Sequence, residues 1–335
     1  MSQHASRTRQ DVTPREPVAL VTGSAGQDGG FLCERLLAEG YQVHACVRGP
    51  EEVDPQFTPW LTRAQVHDVD FAEPEQIGNV ITEVRPDEIY NLAALSSVGL
   101  SWSQPLLTAR INGLAVAQLL ESALQLQQSQ DRPVRVVIAS SAEVFGNAEQ
   151  APQNEDTPIR PVNPYGAAKA YAHHLATVYR GHGLHASACV LFPHESTRRP
   201  TDFVTRKITS TVAAIVRGQA RELVLGNLDV RRDWGWAPDY VDGMIRAARL
   251  EQAEDFVFAT GQDHSIEEFV AAAFAAAGIE DWRRLVRQDP QFMRPAEATR
   301  QVGDARKARS LLGWAPTVEF EEIVARMVRA DLADT

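Results

Sequence analysis

Short apolar runs alternate with amphipathic segments along the amino-terminal part of the chain. The runs predict strands at 18–23, 41–48, 63–70, 88–95, 134–141 and 185–192. The segments between them have the apolar spacing of helices, and they predict one helix just after the first strand and others at 74–84, about 105–128 and 165–180. This strict alternation of the two patterns is the main sequence signal for the fold.

Near-continuous apolar strands that alternate with helices are typical of a parallel sheet covered on both faces. We therefore predict an α/β fold, a Rossmann-type doubly wound parallel sheet, over residues 17–192. Beyond it the pattern becomes more polar and irregular, with short elements such as DFVFAT at 255–260. A smaller, partly interleaved C-terminal lobe is expected over 193–335, mainly for substrate, with segments that return to the first domain. Residues 1–16 are polar and are expected to form a flexible tail.

The composition excludes several classes of protein. The chain has 44% apolar and 23% charged residues, as ordinary globular proteins do. Its formal net charge of -11 argues against nucleic acid or an anionic membrane as the main partner. Three widely spaced cysteines in apolar segments predict buried thiols, neither disulfides nor a metal site. Without a bilayer-length apolar run or a signal peptide, a cytoplasmic protein with no membrane partner is expected.

A glycine-rich loop, TGSAGQDGG, joins the first predicted strand to the first helix and contains Gly23, Gly26 and Gly29. Glycine permits a tight turn and a close approach to a pyrophosphate, which the helix N-terminus stabilises. The loop therefore predicts dinucleotide binding, with a bare turn as the alternative. Arg48 ends the second strand, where an NAD-selective site carries a carboxylate, so its charge favours the 2′-phosphate of NADP. A surface arginine without this role is the alternative.

Residues at the ends of the next strands are expected to complete the dinucleotide site. Asp68 ends the third strand and is placed to reach the adenine, while Asn91, Ala93 and Ala94 follow the fourth strand and are placed to line the cofactor. A purely structural role is the alternative for each. The expected cofactor set also includes Gln27, Asp28, Val69 and Leu92.

The stretch NPYGAAKAYAHH contains a candidate reactive pair, Tyr165 and Lys169. Residues at i and i+4 share one face of a helix. The lysine ammonium is expected to lower the tyrosine pKa, so that the phenolate can remove a proton from a sugar hydroxyl near neutral pH. A surface pair is the alternative. Because the pair follows the fifth strand and a serine-bearing loop, the chain resembles the short-chain dehydrogenases/reductases, which use tyrosine, lysine and serine beside a nicotinamide.

Longer strings make the resemblance more specific. In order along the chain they are TGSAGQDG, IYNLAALSSV, PQNEDTP, NPYGAAKAYA, HESTRRP, FVTRKI, LGNLDVRRDWGWAPDYV, FATGQDHS, RPAEA and LGWAP. Together they resemble the GDP-mannose 4,6-dehydratase family over about 18–330. The resemblance implies that bound NADP takes and returns a hydride while GDP-mannose becomes GDP-4-keto-6-deoxymannose.

The same resemblance implies roles for four catalytic residues. Tyr165, supported by Lys169, would deprotonate the C4 hydroxyl during its oxidation. Glu143 would remove the C5 proton, and Glu143 and Ser141 would assist the hydroxyl that leaves from C6. A C4 epimerase needs no base at C5, so Glu143 favours an eliminating enzyme, although UDP-glucuronate decarboxylases also carry a glutamate there.

The resemblance implies further binding residues. Arg232 and Arg294 would bind the GDP pyrophosphate, Glu297 the ribose, and Lys207 and Ser96 other parts of the substrate; His194 and Arg199 would contact the cofactor. For each arginine a solvated salt bridge is the alternative.

Several positions depart from the family's usual residues. Leu95, Ser97, Pro193 and Trp236 replace glutamine, histidine, asparagine and histidine. We expect three of the changes to lie around the sugar-nucleotide pocket, so another sugar or base stays open. The segment after Arg48, which helps to build a tetramer in the family, is also changed, so a homodimer is expected and a homotetramer is the alternative. Another sugar-nucleotide oxidoreductase, such as a 4-reductase or 4-epimerase, and a non-catalytic dinucleotide sensor are the alternative functions.

Overall fold

The computed structural model describes residues 15–49, 53, 58–130, 132–292 and 300–333. Its strands are β1 (Val18–Thr22), β2 (Gln42–Val47), β3 (Gln65–Asp68), β4 (Glu88–Asn91), β5 (Arg135–Ser141), β6 (His185–Leu191), β7 (His194–Glu195), β8 (Leu223–Leu225), β9 (Arg231–Arg232), β10 (Gly235–Trp236), β11 (Phe256–Phe258), β12 (His264–Ser265), β13 (Val286–Gln288) and β14 (Arg300–Gln301). Its helices are α1 (Gln27–Ala38), α2 (Pro74–Val84), α3 (Val98–Ser103), α4 (Pro105–Ala109), α5 (Ala115–Gln130), α6 (Pro164–Gly181), α7 (Val204–Val216), α8 (Ala237–Arg249), α9 (Ile266–Ala276), α10 (Arg306–Leu312) and α11 (Phe320–Ala333).

Seven strands form a parallel sheet in the order β3-β2-β1-β4-β5-β6-β11. All of them except the edge strand β3 are buried, which suits a sheet that is covered on both faces, whereas β3 is polar and largely exposed. The order reverses between β1 and β4, and parallel sheets of this kind bind ligands in the crevice at the carboxyl ends of the strands next to such a point. The predicted doubly wound α/β fold is confirmed, and all six predicted strands form.

Two layers of helices cover the sheet. On one face α1 and α8 bury Leu36 and Met244 against the strands, and Trp314 packs into the same core. On the other face α2, α5 and α6 bury Ile77, Leu119 and neighbouring apolar residues. The three cysteines are free and buried, as predicted.

A third core lies under the smaller lobe, where α7, α9 and α11 pack together around Ile208, Phe269 and Met327. Short strands accompany these helices in the pairs β7–β10 and β8–β13 and in the trio β12-β9-β14. The chain then returns to the large sheet through α8 and β11. The division of the chain at residue 192 stays a prediction. Apart from residues 15 and 16, the predicted tail lies outside the described residues.

The helix predicted over about 105–128 is interrupted, which corrects the prediction. A π-helical turn, Arg110–Leu114, separates α4 from α5. It places the buried Asn112 beside the loop after β4, where the Asn112 side chain accepts from the Leu95 N–H at 2.8 Å and donates to the Leu95 carbonyl at 3.1 Å. The interruption therefore fixes the backbone of a loop that leads into the crevice, as π turns near functional sites often do.

Candidate active site

The glycine loop after β1 has no room for a side chain at Gly23 or Gly29. Gly23 has φ +66°, and a Cβ there would lie 2.8 Å from the Ala93 nitrogen. A Cβ at Gly29 would lie 2.2 Å from the Gly23 carbonyl oxygen. Gly26 begins α1 without a side-chain cap. Because the loop leaves the backbone uncovered at a helix N-terminus, it fits the pyrophosphate of a dinucleotide.

The residues after Gly26 connect this loop to the smaller lobe. Gln27 is buried, donates to the His194 carbonyl at 3.1 Å and accepts from Ser196 Oγ at 2.8 Å. Asp28 Oδ2 lies 2.8 Å from His194 Nε2, and His194 Nδ1 lies 2.7 Å from the Phe192 carbonyl. Both ring nitrogens therefore face acceptors, which favours the charged imidazolium.

The pKa values of His194 and Asp28 are shifted in the directions that this geometry favours. Burial alone would lower the pKa of His194, but the charge and hydrogen bond of Asp28 outweigh it and raise the pKa above its usual value. Burial likewise opposes ionisation of Asp28, yet His194 and Arg199 bring the Asp28 pKa below its usual value. The loop is thus held to the lobe by an ion pair.

Residues at the ends of β2, β3 and β4 lie at the same edge of the sheet. Arg48 is exposed just after β2, and the Asp68 carboxylate accepts from the Gly49 N–H at 3.1 Å. Val69 is buried, and its N–H donates to the Val47 carbonyl at 2.8 Å. The N–H groups of Leu92 and Ala93 both donate to Thr22 Oγ1 at 3.0 Å, so the loop after β4 is fixed to β1.

Glu143 stands at the end of β5 because Ser141 starts a short helical turn there. Ser141 Oγ accepts from the Glu143 N–H at 3.2 Å and caps the 3-10 turn Ala142–Val144. Two amides hold the Glu143 carboxylate. Asn163 Nδ2 donates to Oε2 at 2.7 Å, and Gln301 Nε2 donates to Oε1 at 3.3 Å. The carboxylate is therefore oriented by side chains of the protein itself.

Tyr165 and Lys169 lie on the buried face of α6. Asn163 caps this helix by accepting from the Gly166 N–H at 2.7 Å. The Lys169 ammonium donates to the Ala139 carbonyl at 2.8 Å and lies 5.9 Å from the centre of the Tyr165 ring. Both side chains are buried.

The expected lowering of the Tyr165 pKa is not found. Burial raises the pKa of Tyr165 to about 12, although a hydrogen bond with Ser141 opposes the rise. Burial also lowers the pKa of Lys169 to about 8, so the lysine itself holds its proton weakly. The prediction of a lowered Tyr165 pKa was wrong, because desolvation disfavours the charged forms of both residues.

The substrate half of the site contains cationic side chains in partly apolar surroundings. Lys207 Nζ lies 3.9 Å from the centre of the Phe292 ring. Arg199 Nε lies 3.3 Å from the buried carboxylate of Glu195. Arg232 is buried and donates to the Arg231 carbonyl at 2.8 Å. Arg294 and Glu297, predicted to bind the nucleotide, lie outside the described residues.

One cleft of about 480 Å³ joins the two halves, a size suited to a small-molecule ligand. The predicted site residues that line it are Asp28, Leu92, Ala94, Ser96, Ser141, Glu143, Tyr165, Lys169, His194, Arg199, Lys207 and Arg232. The other described residues of the predicted set lie outside this lining, and they are Gly23, Gly26, Gln27, Gly29, Arg48, Asp68, Val69, Asn91 and Ala93. The four catalytic candidates are thus brought together.

Comparison with known proteins decides the family. The family model described as GDP-mannose 4,6 dehydratase matches residues 20–327. The chain belongs to the GDP-mannose 4,6-dehydratase family. GDP-mannose 4,6 dehydratase 2 of Arabidopsis thaliana is 38% identical over 343 residues, which cover 99% of this chain and 91% of that protein. GDP-mannose 4,6 dehydratase of Homo sapiens is 38% identical over 341 residues, with coverages of 94% and 91%.

Solved structures agree with the fold of this family. UDP-glucose 4-epimerase of Thermus thermophilus, in complex with NAD, has a TM-score of 0.81 at 25% identity over 95% of this chain and 100% of its own. The family predicted from the motif strings is confirmed. In the described part of the chain, no helix has the length and apolar composition needed to cross a membrane. The same residues contain no group of three or more potential ligands that could hold a metal ion.

Of the four departures from the family pattern, the structure places two on the cleft wall. Ser97 and Pro193 line the cleft, but Leu95 and Trp236 do not. Leu95 packs into the core of the large sheet, and Trp236 stacks with the Arg326 guanidinium, 5.2 Å from the ring centre. The expectation of three changes around the pocket was therefore wrong, because Trp236 faces the third core.

Sequence reasoning missed three polar residues that shape this dehydratase-family site. Asn163 before Pro164 is a recognisable helix cap, but the pattern does not reveal its second bond to Glu143. Asn112-Gly113 inside a helical pattern signals a disturbance, although not its position beside Leu95. Gln301 had no signal, because only the packing of the lobes brings it to Glu143.

Proposed function

We propose that the protein is a GDP-sugar 4,6-dehydratase that converts GDP-mannose to GDP-4-keto-6-deoxymannose with tightly held NADP. The observation that carries the proposal is the oriented Glu143 carboxylate in one cleft with Tyr165 and Lys169. An enzyme that only moves hydride at C4 needs the tyrosine and the lysine but no base at C5. The reaction of a 4-epimerase or a 4-reductase would therefore not use the carboxylate of Glu143.

The residues proposed to hold the cofactor are Gly23, Gly26, Gln27, Asp28, Gly29, Arg48, Asp68, Val69, Leu92, Ala93, Ala94, Tyr165, Lys169, His194 and Arg199. When bound, the nicotinamide supplies a hydride acceptor at C4 of the sugar and a donor at C6. The loop around Gly23 and Gly29 supports this assignment because its uncovered backbone fits a pyrophosphate.

Side chains of the protein would remove two protons from the sugar, at the C4 hydroxyl and at C5, and return two, to the leaving hydroxyl and to C5. Tyr165 would take the proton of the C4 hydroxyl as C4 loses its hydride, and the resulting ketone acidifies the C5 hydrogen. Glu143 takes the C5 proton, and the C6–oxygen bond breaks as Glu143, with Ser141, gives a proton to the leaving hydroxyl. Glu143, reprotonated from solvent, would then return a proton to C5 as C6 is reduced, and Tyr165 would release its proton to solvent. One water leaves, and no outside oxidant or reductant is consumed.

Cationic residues of the smaller lobe would bind the nucleotide diphosphate. We assign the pyrophosphate to Arg232 and Arg294, the ribose to Glu297, and other contacts to Lys207 and Ser96. Two phosphate charges need cationic or hydrogen-bonding partners. The buried position of Arg232 on the cleft wall supports its part, because a buried guanidinium binds an anion more strongly than an exposed one.

The proposal is tested with purified protein, GDP-mannose and a trace of NADP⁺ in heavy water. A product lighter by one water, with one solvent deuteron at C5 and no net reduction of cofactor, is expected. A product of unchanged mass would indicate an epimerase instead, and stoichiometric consumption of NADPH a reductase. If GDP-mannose is inert, a panel of sugar nucleotides tests the substrate separately, because Ser97 and Pro193 alter the cleft wall.

Replacing Arg48 with alanine is expected to weaken NADP binding about 10- to 100-fold and NAD binding little. A hydrogen bond to a charged group contributes about 1.5–3 kcal/mol, and only NADP carries the 2′-phosphate. Titration calorimetry with both cofactors measures the difference. The control is Arg63→Ala, an exposed arginine just before β3. Equal losses for the two cofactors would remove the argument for NADP.

We further propose that the protein forms a homodimer through the outer surface of α3, α4 and α6, which pack against one another. This surface exposes large apolar side chains, with Leu106 81% and Trp102 54% accessible and Tyr171 about half exposed, and Leu114 in the adjoining π turn is also half exposed. Contiguous apolar surface of this kind marks association sites, and a twofold contact buries the same patch on both subunits. A cytoplasmic location remains part of the proposal.

The double variant Leu106→Asp/Tyr171→Asp is expected to be monomeric in light scattering, while the parent protein has twice the chain mass. Each subunit would have to bury two unpaired carboxylates in the contact. The free energy of burying these charges would exceed the free energy gained from the apolar contact. Leu311→Asp on α10 is the control, since Leu311 is equally apolar and half exposed but lies elsewhere. A parent mass of four chains would favour the tetramer, and an unchanged mass of the double variant would exclude this surface.

A further inference from the structure

We propose that Gln301 is a positioning residue that orients the Glu143 carboxylate from the smaller lobe. The inference rests on the proposed function and deepens it. Gln301 lies on β14, far along the chain from Glu143, and is 2% exposed. Its amide reaches Glu143 Oε1 at 3.3 Å and lines the same cleft.

The two oxygens of Glu143 are held from two different parts of the molecule. Asn163 donates to Oε2 at 2.7 Å and is itself fixed as the cap of α6. Gln301 donates to Oε1, the other oxygen. With one donor on each oxygen the carboxylate plane is defined, whereas one donor alone leaves it free to rotate about the remaining bond. Gln301 therefore sets the direction in which the base faces.

The backbone of Gln301 is fixed to the strand that carries the proposed pyrophosphate ligand. β14 pairs in parallel with β9, and Gln301 is the register partner of Arg232. The Gln301 carbonyl accepts from the Asp233 N–H at 3.0 Å. Asp233, fully buried, also accepts from the Gly303 N–H at 3.1 Å, so both ends of the segment are held. The backbone that carries the Gln301 amide is thus held in place by the strand pairing and by Asp233.

A base that rotates away from the C5 hydrogen slows proton removal without slowing the oxidation that precedes it. On α6, Lys169 bonds to the Ala139 carbonyl and Tyr165 bonds to Ser141, and neither bond involves Gln301. The 3.3 Å bond of Gln301 to Oε1 is longer than the 2.7 Å bond of Asn163 to Oε2, so the two donors hold the carboxylate unequally. Loss of this donor should therefore appear only after the first hydride step.

The test is Gln301→Met, which keeps the length of the side chain and removes the donor. We expect kcat to fall about tenfold while KM for GDP-mannose changes less than about twofold, because displacement of a reacting group by a fraction of an ångström acts on the chemical step. Reduced nicotinamide should accumulate during turnover, and the kinetic isotope effect on kcat with substrate deuterated at C5 should increase. A purely structural role would not move these last two signals.

The matched control is Gln153→Met. Gln153 is also buried, and it bonds to the Val302 N–H beside β14 at 3.1 Å without contacting Glu143. If Gln301→Met and the control lose activity in parallel, or if Gln301→Met accumulates no reduced cofactor, the inference is overturned. If Gln301→Met does not fold, Gln301→Asn replaces it, since that amide is too short to reach Oε1 and should give the same two signals. A parent protein that dehydrates no sugar nucleotide overturns the proposed function itself, whereas an active parent with an unaffected variant overturns only the role of Gln301.

Discussion

The Glu143→Gln variant is expected to oxidise its substrate at C4 and then to stop before water leaves. Glutamine keeps the shape of the side chain but cannot accept the C5 proton, so turnover should fall roughly 10²- to 10⁴-fold. The local hydrogen bonds add to the effect. Both carboxylate oxygens accept from amides, and the NH₂ group of a glutamine would face one of those donors. Stopped-flow absorbance should show about one reduced nicotinamide formed per subunit and persisting.

A matched control uses another glutamate of the same loop. Glu149 is 89% exposed and pairs with Arg160 at 3.8 Å, so Glu149→Gln should turn over normally. If Glu143→Gln also retained full turnover, the base at C5 would have to be sought elsewhere. If it reduced no cofactor at all, Glu143 would act before elimination, and the order of steps proposed for the family chemistry would be wrong for this protein.

The Tyr165→Phe variant is expected to fail one step earlier. Without the phenolic oxygen no group at this position can take the C4 hydroxyl proton, so both turnover and transient cofactor reduction should fall roughly 10²- to 10⁴-fold. Folding should persist, because only a hydroxyl that bonds to Ser141 is removed from a packed ring. Tyr179→Phe is the control, because it removes a hydroxyl from the same helix outside the cleft, where Tyr179 donates to Glu121 at 2.9 Å. Normal accumulation of reduced cofactor in Tyr165→Phe would contradict the role of the tyrosine.

The contrast between these two variants separates the proposed dehydratase from its relatives. One should trap the reduced cofactor, and the other should never form it. A 4-epimerase would lose activity on changing Tyr165 but would gain no trapped state on changing Glu143. The pair of experiments therefore reports the chemistry even if the preferred sugar nucleotide differs from GDP-mannose.

The sequence was sufficient for the large sheet and for the parts of the site that lie on it. Buried parallel strands are nearly continuous apolar runs, so their places along the chain can be predicted without knowledge of their partners. The glycine loop, Glu143 and Tyr165 follow such strands directly, and the carboxyl ends of parallel strands share one edge of the sheet. Local sequence patterns were therefore enough to predict where these residues lie relative to the sheet.

What the sequence could not provide depends on contacts between distant segments. Gln301 meets Glu143 across 158 positions of the chain, and no local pattern encodes that distance. The rise in the Tyr165 pKa comes from burial by several elements, whereas the sequence displays only the neighbouring Lys169. Trp236 was predicted to lie at the pocket because it belongs to a sequence string that resembles the family's. In the structure its ring faces the Arg326 guanidinium.

The return of the chain to the large sheet has a consequence for biosynthesis. α8 covers one face of that sheet over β5 and β6, and β11 and Trp314 complete the same core, so this part of the face has no cover until these late segments exist. During translation the amino-terminal half would emerge with an open apolar face and an unpaired edge at β6, the conditions under which nascent chains need chaperones. A fragment ending near residue 192 should for the same reason aggregate, and the two halves should be recoverable only when they are synthesised together.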